Sequence, residues 1–212
     1  MTQLVGFQAD KFSRHTMSGR LVVFEGLDQS GKQTQAEMLR DWLVSTGRTV
    51  RLLSFPTYET PLGTEIGRAL HGEREYGPDV MQLLYVANRF EWKGEIEREL
   101  AAGTVLVCDR YLASSIAYGE AQGLDPRWLE EIQAPLPQPD ATVLLDIAPA
   151  ESLARKRAGR DKYERDLDLL SRVRTSYLRQ AGARGWAMLD AARDRVVVAD
   201  DVRAAVGPKL GL

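Results

Sequence analysis

The stretch that decides the fold is GLDQSGK, residues 26–32, which matches the pattern GxxxxGK of a phosphate-binding loop. It follows the apolar run LVVF of residues 21–24, which predicts a buried strand, and it opens a segment with helical periodicity. Glycines let successive backbone N–H groups point at anionic oxygens, and the helix N-terminus adds partial positive charge. Because Lys32 can reach a β- or γ-phosphate, the sequence predicts a nucleotide triphosphate site here.

The predicted ATP site takes in the loop and the first residues of the helix behind it. Its members are Gly26, Leu27, Asp28, Gln29, Ser30, Gly31, Lys32, Gln33 and Thr34. Gln33 departs from the pattern, because Ser or Thr in that place normally offers a hydroxyl to Mg²⁺. Thr34 points about 100° away around the helix. We expect the Gln33 amide oxygen to contact the metal directly or through water, or else the metal to rely on phosphates, waters and one carboxylate.

Strand-like and helix-like segments alternate along the chain. The predicted strands are residues 21–24, 49–55, 104–109, 141–147 and 186–190, and the predicted helices are residues 32–46, 80–102, 151–157, 166–181 and 200–210. Residues 196–198 stay open, since their β-branched side chains favour a strand while the segment behind them favours a helix. The alternation predicts an α/β fold with a five-stranded parallel sheet covered by helices on both faces. Ligands of such sheets bind beyond the carboxyl ends of the strands.

Composition narrows the function classes. The net charge of −2 gives no reason to expect nucleic acid as a partner. No apolar stretch approaches the roughly 20 residues that span a bilayer, and residues 1–19 lack the apolar middle of a secretory signal. We expect these residues to be a flexible extension or to reflect an upstream start site, with a docking arm as the alternative. The lone Cys108 fits a reducing interior, so we expect a cytoplasmic protein without a membrane partner.

Asp109 and Arg110 directly follow the predicted third strand. An aspartate at a strand end beside a phosphate loop can hold Mg²⁺, usually through water, and the adjacent arginine can bind anions bidentately. The alternative for this pair is a structural ion pair. Cys108 points to the opposite side of the strand and should pack in the core.

The run DRYLASSIAY, residues 109–118, together with the phosphate loop, resembles the thymidylate kinase family. Phe55-Pro56, residues 83–89 and residues 162–164 are also similar to that family, so the resemblance covers the chain from about Arg20 onward. It implies a P-loop kinase fold, with residues 20–212 as one nucleoside monophosphate kinase domain and a short lid at about 155–165. It also implies a homodimer, ATP and Mg²⁺ as cofactors, and phosphorylation of dTMP to dTDP.

The resemblance further implies roles for the acceptor site. Tyr85 would stack on thymine, Arg89 would donate to a thymine carbonyl, and Ser115 would face the base edge. Tyr118 would crowd the ribose 2′ position and so favour deoxyribose. The implied dTMP site is Asp28, Phe55, Tyr58, Tyr85, Arg89, Arg110, Ser115, Tyr118 and Tyr163.

The basic segment from Arg155 onward resembles the family's lid, although a solvated loop is the plain alternative. Arg155 would lie against adenine, and Arg157 and Arg160 would reach the transferring phosphoryl group. Because the loop carries Gln29 instead of an arginine, the lid would supply the catalytic guanidinium groups. The implied catalytic set is Lys32, Asp28, Asp109, Arg110, Arg157 and Arg160.

The sequence departs from the family pattern at two positions, and three alternative functions stay open. Tyr58 stands where members of that family commonly have an arginine for the acceptor phosphate. Gly119 replaces the small polar residue that commonly follows the tyrosine at position 118 in the family. The nearest alternative is another monophosphate kinase, acting on UMP, CMP, dUMP or dGMP. A deoxynucleoside kinase using Glu59 as base is a second. The third is a nucleotide-binding protein that has lost catalysis, which Gln33 and Tyr58 would favour.

Overall fold

The computed structural model describes residues 19–155 and 166–212. The predicted N-terminal extension, apart from Gly19, and nearly all of the predicted lid lie outside the described residues. The strands are β1 (Arg20–Glu25), β2 (Val50–Ser54), β3 (Val105–Asp109), β4 (Ala141–Asp146) and β5 (Ala187–Asp190). The helices are α1 (Lys32–Ser45), α2 (Pro61–Leu70), α3 (Pro78–Ala101), α4 (Leu112–Ala121), α5 (Pro126–Glu131), α6 (Pro149–Arg155), α7 (Leu167–Arg184) and α8 (Arg195–Leu210).

The five strands form one parallel sheet in the order β2-β3-β1-β4-β5, which confirms the predicted sheet. β1 lies at its centre, with β3 on one side and β4 on the other. The register pairs Phe24 with Asp109, so the segments that follow β1 and β3 begin side by side. The strand order changes direction at β1, which is where ligands of such sheets bind.

Helices cover both faces of the sheet because successive strand residues point to opposite sides. Leu21, Val23 and Leu106 pack in a cluster with Ile96 of α3. Val22, Phe24 and Val107 instead pack in a cluster with Leu39 of α1 and Val202 of α8. Cys108 is fully buried, as its place in the strand predicts.

Residues 196–198 belong to α8 and not to a strand. The Asp194 carboxylate accepts a hydrogen bond from the Val196 N–H and caps the helix. Val198, Val202 and Val206 are buried at a spacing of one helical turn, so packing overrides the β propensity of valine. Among the helices that the structure describes, none is long and apolar enough to cross a membrane.

Candidate active site

The phosphate loop joins the end of β1 to the start of α1, as its pattern predicts. Gly26 has φ of 142°, and a Cβ added there would lie 2.4 Å from the Leu145 carbonyl oxygen. Gly31 has φ of 88°, and Gln29 also adopts a positive φ, of 62°. Only glycine takes such backbone easily, so the loop is held in a curled form that L side chains disfavour.

Lys32 lies inside this loop. Its side chain is buried, and Nζ donates a hydrogen bond of 2.8 Å to the Leu27 carbonyl. Burial, and then the positive charge of Arg110, lower the pKa of the Lys32 ammonium. An anionic oxygen bound in the loop would offset both effects, so the site favours a polyanion.

Arg110 enters the site from the end of β3. Its N–H donates to the Phe24 carbonyl at 2.9 Å, and its φ is 64°. The guanidinium donates to Asp28 Oδ1 at 2.6 Å, to the Tyr177 hydroxyl at 3.1 Å and to the Ser114 hydroxyl at 3.2 Å. Arg110 is therefore fixed in place before any ligand binds.

Asp28 is the anionic partner of Arg110. Its other oxygen accepts a 3.0 Å hydrogen bond from the Tyr118 hydroxyl. Burial opposes the charge of the carboxylate, but Arg110 and Lys32 together hold the pKa of Asp28 well below its usual range. The loop thus carries one fixed negative charge between two fixed positive charges.

The Asp28–Arg110 pair is supported by three further side chains, those of Glu25, Ser114 and Tyr177. Glu25 is fully buried and accepts from the Tyr111 N–H at 2.9 Å, the Ser114 hydroxyl at 2.7 Å and the Tyr177 hydroxyl at 3.2 Å. None of the three was predicted as a site residue from the sequence. A carboxylate ending an apolar strand is a visible signal for Glu25, whereas Tyr177 arrives from α7 without any local motif.

A cavity of about 370 Å³ connects the phosphate loop to a second slot. It brings together Asp28, Gln29, Gly31, Lys32, Gln33, Thr34, Phe55, Tyr58, Tyr85, Arg89, Asp109, Arg110, Ser115 and Tyr118, all of which were predicted as site residues. Ser54, Pro56, Leu70, Gln82 and Ser114 complete its lining. Gly26, Leu27 and Ser30 lie in the loop but not on the cavity wall, and the Leu27 side chain packs in the core.

Arg89 forms the deep end of the second slot. It is buried, and Nη1 donates to the Ser115 hydroxyl at 2.7 Å and to Gln133 Oε1 at 3.2 Å. Its Nε has no hydrogen-bond partner among the described residues, and burial lowers the pKa of the guanidinium. A buried cation with spare donors suits a carbonyl oxygen of a ligand.

The segment after β2 is fixed to α3. Asn88 is fully buried, accepts from the Thr57 N–H at 2.9 Å and donates to the Thr57 carbonyl at 3.1 Å. These bonds set Phe55 and Tyr58 at the cavity edge. Tyr58 is 52% exposed, and Glu59, the base of the nucleoside kinase alternative, is exposed and does not line the cavity.

Arg155 reaches the loop from α6. Its guanidinium donates to the Gln29 carbonyl at 3.1 Å and to the Ala191 carbonyl at 2.9 Å. Gln33 is exposed, and its amide nitrogen donates to Glu37 at 2.9 Å. The predicted residues Arg157, Arg160 and Tyr163 lie outside the described residues.

The donor set beside the loop fits Mg²⁺ held by one carboxylate. Asp109 Oδ1 and Ser30 Oγ are both buried without a hydrogen-bond partner in the part of the chain that the structure describes. Within the same residues, no cluster of three or more His, Cys, Asp or Glu side chains could hold a metal without help. Phosphate oxygens and water would have to complete the shell, which is how Mg²⁺ is usually bound at nucleotides.

Comparison with known proteins agrees with this geometry. A family model described as thymidylate kinase matches residues 24–202. The thymidylate kinase of Arabidopsis thaliana is 35% identical over 173 residues, covering 82% of this chain, and that of Schizosaccharomyces pombe is 37% identical over 147 residues, covering 69%. The matched region spans 65% of the Arabidopsis protein and 70% of the yeast protein. A solved thymidylate kinase of Candida albicans superposes with a TM-score of 0.77 at 28% identity, covering 90% of this chain and 92% of that one.

Proposed function

Because this chain belongs to the thymidylate kinase family, we propose that it transfers the γ-phosphate of ATP to dTMP, giving ADP and dTDP. The observation that carries this proposal is the single cavity that runs from the phosphate loop to the slot of Tyr85 and Arg89. One end suits a triphosphate, and the other suits a pyrimidine. Phosphoryl transfer needs the two bound in line with water excluded, and little covalent chemistry from the protein.

The donor nucleotide binds at the loop. Backbone N–H groups of residues 26–32 surround its phosphates, and Lys32 exchanges its bond to the Leu27 carbonyl for a phosphate oxygen. Arg155, already against the loop at Gln29, supports the adenine side. Mg²⁺ would be held at Asp109, through water, and when bound it neutralises charge on the phosphate oxygens.

The acceptor phosphate binds at Arg110. Its guanidinium is fixed by Asp28, Ser114 and Tyr177, so it donates to a phosphate without losing rotamer freedom on binding. Since the acceptor phosphate is already anionic, no strong general base is required. Asp28 keeps Arg110 in line with the donor loop and contacts the acceptor sugar or orders its phosphate.

The acceptor nucleoside fills the second slot. Tyr85 stacks on the base, an interaction worth about 1–3 kcal/mol. Arg89 donates to a base carbonyl beside Ser115. Tyr118, which lines the same cavity, crowds the position of a ribose 2′-hydroxyl and so favours deoxyribose. Arg157 and Arg160 are proposed from the resemblance alone as the lid groups that reach the transferring phosphoryl group, and Tyr163 as a contact of the bound nucleotide.

A coupled ADP-release assay with dTMP, dUMP, UMP, CMP and dGMP side by side tests this function. The proposal predicts that dTMP gives the highest kcat/KM. A higher value for another monophosphate would select the alternative monophosphate kinase. Nucleotide binding without any acceptor-dependent ADP release would select the non-catalytic alternative, and turnover with thymidine in place of dTMP would select the nucleoside kinase.

We also propose a homodimer, which the family resemblance supports. A cytoplasmic location is proposed as well, because the buried Cys108 forms no disulfide. Val80, Leu83 and Phe90 on one side of α3 are 39%, 46% and 37% exposed, which is unusual for a run of large apolar side chains on one helix. Sedimentation should give a dimer for the native chain and a monomer for Leu83→Glu. Met188→Glu is the matched control, because Met188 is 52% exposed on β5 and should leave the mass unchanged.

A further inference from the structure

Ser152 is a buried serine outside the set of side chains assigned to the two nucleotides. It lies on α6, the helix that ends at Arg155, and it is 4% exposed. Its hydroxyl donates a hydrogen bond of 2.7 Å to the Asp28 carbonyl, which belongs to the phosphate loop. The two residues are 124 positions apart in the sequence, so this bond fastens a distant helix to the loop.

A second contact from α6 reaches the next peptide of the loop. Arg155 follows Ser152 by three residues, so the two side chains share one side of the helix. The Arg155 guanidinium donates to the Gln29 carbonyl at 3.1 Å, and it also donates to the Ala191 carbonyl at 2.9 Å, just after β5. Helix α6 therefore holds the carbonyl groups that come immediately before and after the Cα atom of Gln29.

Gln29 is a strained residue of the loop. Its φ of 62° lies in the left-handed region, which residues with a Cβ atom disfavour. Such a conformation persists only where the surrounding contacts fix it. The two hydrogen bonds from α6 supply that support on either side of Gln29.

The Ser152 bond also sets the direction of a backbone N–H group. In a planar trans peptide, the C=O and the N–H point in opposite directions. Because the Asp28 carbonyl points at Ser152, the Gln29 N–H points away from α6. No carbonyl of the described residues accepts from this N–H, and Gln29 lines the cavity, so the group is available to an anion there.

We propose that Ser152 is a positioning residue for the donor nucleotide. Its hydroxyl holds the Asp28 carbonyl outward, and the Gln29 N–H is thereby presented to a phosphate oxygen. This rests on the proposed ATP site. Without the hydroxyl, the peptide between Asp28 and Gln29 is free to rotate, and the positive φ of Gln29 loses one of its two supports.

Calorimetry of Ser152→Ala with ATP, inorganic tripolyphosphate and dTMP, each with Mg²⁺, tests the proposal. Kd for ATP and Kd for tripolyphosphate should rise by the same factor, about 3- to 10-fold, because the lost interaction is with phosphates and not with adenosine. Kd for dTMP should not change, since the Asp28 carboxylate stays bonded to Arg110 and Tyr118. In steady-state kinetics, KM for ATP should rise while KM for dTMP stays at the native value.

Three other patterns would overturn the proposal. A loss of affinity for ATP but not for tripolyphosphate would mean that Ser152 acts on the adenosine part. An equal loss for ATP, tripolyphosphate and dTMP would mean that it serves packing only. Unchanged affinities, or a native chain that does not bind tripolyphosphate, would mean that the loop does not hold phosphates through this bond.

Ser176→Ala is the matched control. Ser176 is 3% exposed, donates to Glu120 on α4 and does not line the cavity, so its loss should leave the Kd values for ATP and tripolyphosphate unchanged. Ser152→Cys provides a second variant in case Ser152→Ala does not fold. Its thiol is only a weak donor, so both Kd values should again rise by one common factor.

The test separates this proposal from the proposed function. If the native chain bound ATP but transferred no phosphate to dTMP, the proposed function would fail by itself. The Kd values for ATP and tripolyphosphate would still decide whether Ser152 positions the loop.

Discussion

The guanidinium of Arg110 lies 2.6 Å from the carboxylate of Asp28, and this contact ties the end of β3 to the phosphate loop that comes after β1. The side chains are 14% and 30% exposed, so the pair is partly shielded from water. The arginine proposed to bind the acceptor phosphate is thereby tied to the loop proposed to bind the donor.

Arg110→Lys should separate charge from geometry. The ammonium keeps the positive charge but loses the planar set of donors that reaches Asp28, Ser114 and Tyr177 together. We expect kcat/KM for dTMP to fall by about 100-fold or more, with calorimetric ATP affinity little changed. Arg98→Lys, at an exposed site on α3, is the control and should match the native enzyme. Native-like kinetics for Arg110→Lys would refute the assigned role.

Lys32→Ala should remove most turnover and leave the fold intact. Nζ makes a single hydrogen bond within the described residues, to the Leu27 carbonyl, so little stability depends on it. We expect kcat to fall by about 1,000-fold, because the charge facing the β- and γ-phosphates is lost. The circular dichroism spectrum should be unchanged. Near-normal turnover from the purified variant would mean that the loop does not bind phosphates in this way.

Asp28→Asn should change how stability depends on pH. The native pKa of Asp28 is depressed, so its carboxylate stabilises the fold above the unfolded-state value near 3.8 and this contribution is lost as pH falls below it. We expect the variant to be about 1–3 kcal/mol less stable at pH 7, because the partly buried Arg110 loses its charged partner. In urea titrations the difference should shrink between pH 4 and pH 2, as a rough window. A gap independent of pH would contradict the pairing.

Tyr177→Phe tests whether α7 positions Arg110 for the proposed reaction. The hydroxyl is within hydrogen-bond distance of Arg110, Ser114 and the buried Glu25, and phenylalanine keeps the ring but removes all three contacts. We expect kcat/KM for dTMP to drop by about 5- to 20-fold and stability by about 1–2 kcal/mol. ATP affinity should not change, since Tyr177 does not line the cavity. An equal loss of ATP affinity would indicate a general structural role instead.

Site residues at the ends of strands were the easiest to predict from the sequence. Asp109 and Arg110 stand at the end of β3, and Lys32 closes the loop that follows β1, so a parallel sheet brings them to one edge without further information. Tyr177 was missed because its contacts depend on packing between distant segments, and it meets Arg110 across 67 residues. No short pattern carries such a contact.

Helix α8 is a second case in which tertiary packing, and not local sequence, determines the structure. Its valines have strand propensity, but three of them recur at one-turn spacing and bury against the sheet. Helices α2 and α5 were not predicted, although Thr60 and Asp125 cap them and each is followed by a proline, which is a helix-start signal in the sequence. Helix α4 was not predicted because it is buried nearly all round and so lacks an amphipathic pattern. Local signals are weakest where tertiary packing determines the structure.

The transfer of label from [γ-³²P]ATP to dTMP tests the central claim most directly. With Mg²⁺ present, the native chain should give radioactive dTDP in an amount equal to the ADP released, and Lys32→Ala should give almost none. Label released only as inorganic phosphate, or ADP formed at the same rate without dTMP, would contradict the claim that one cavity holds both nucleotides for direct transfer.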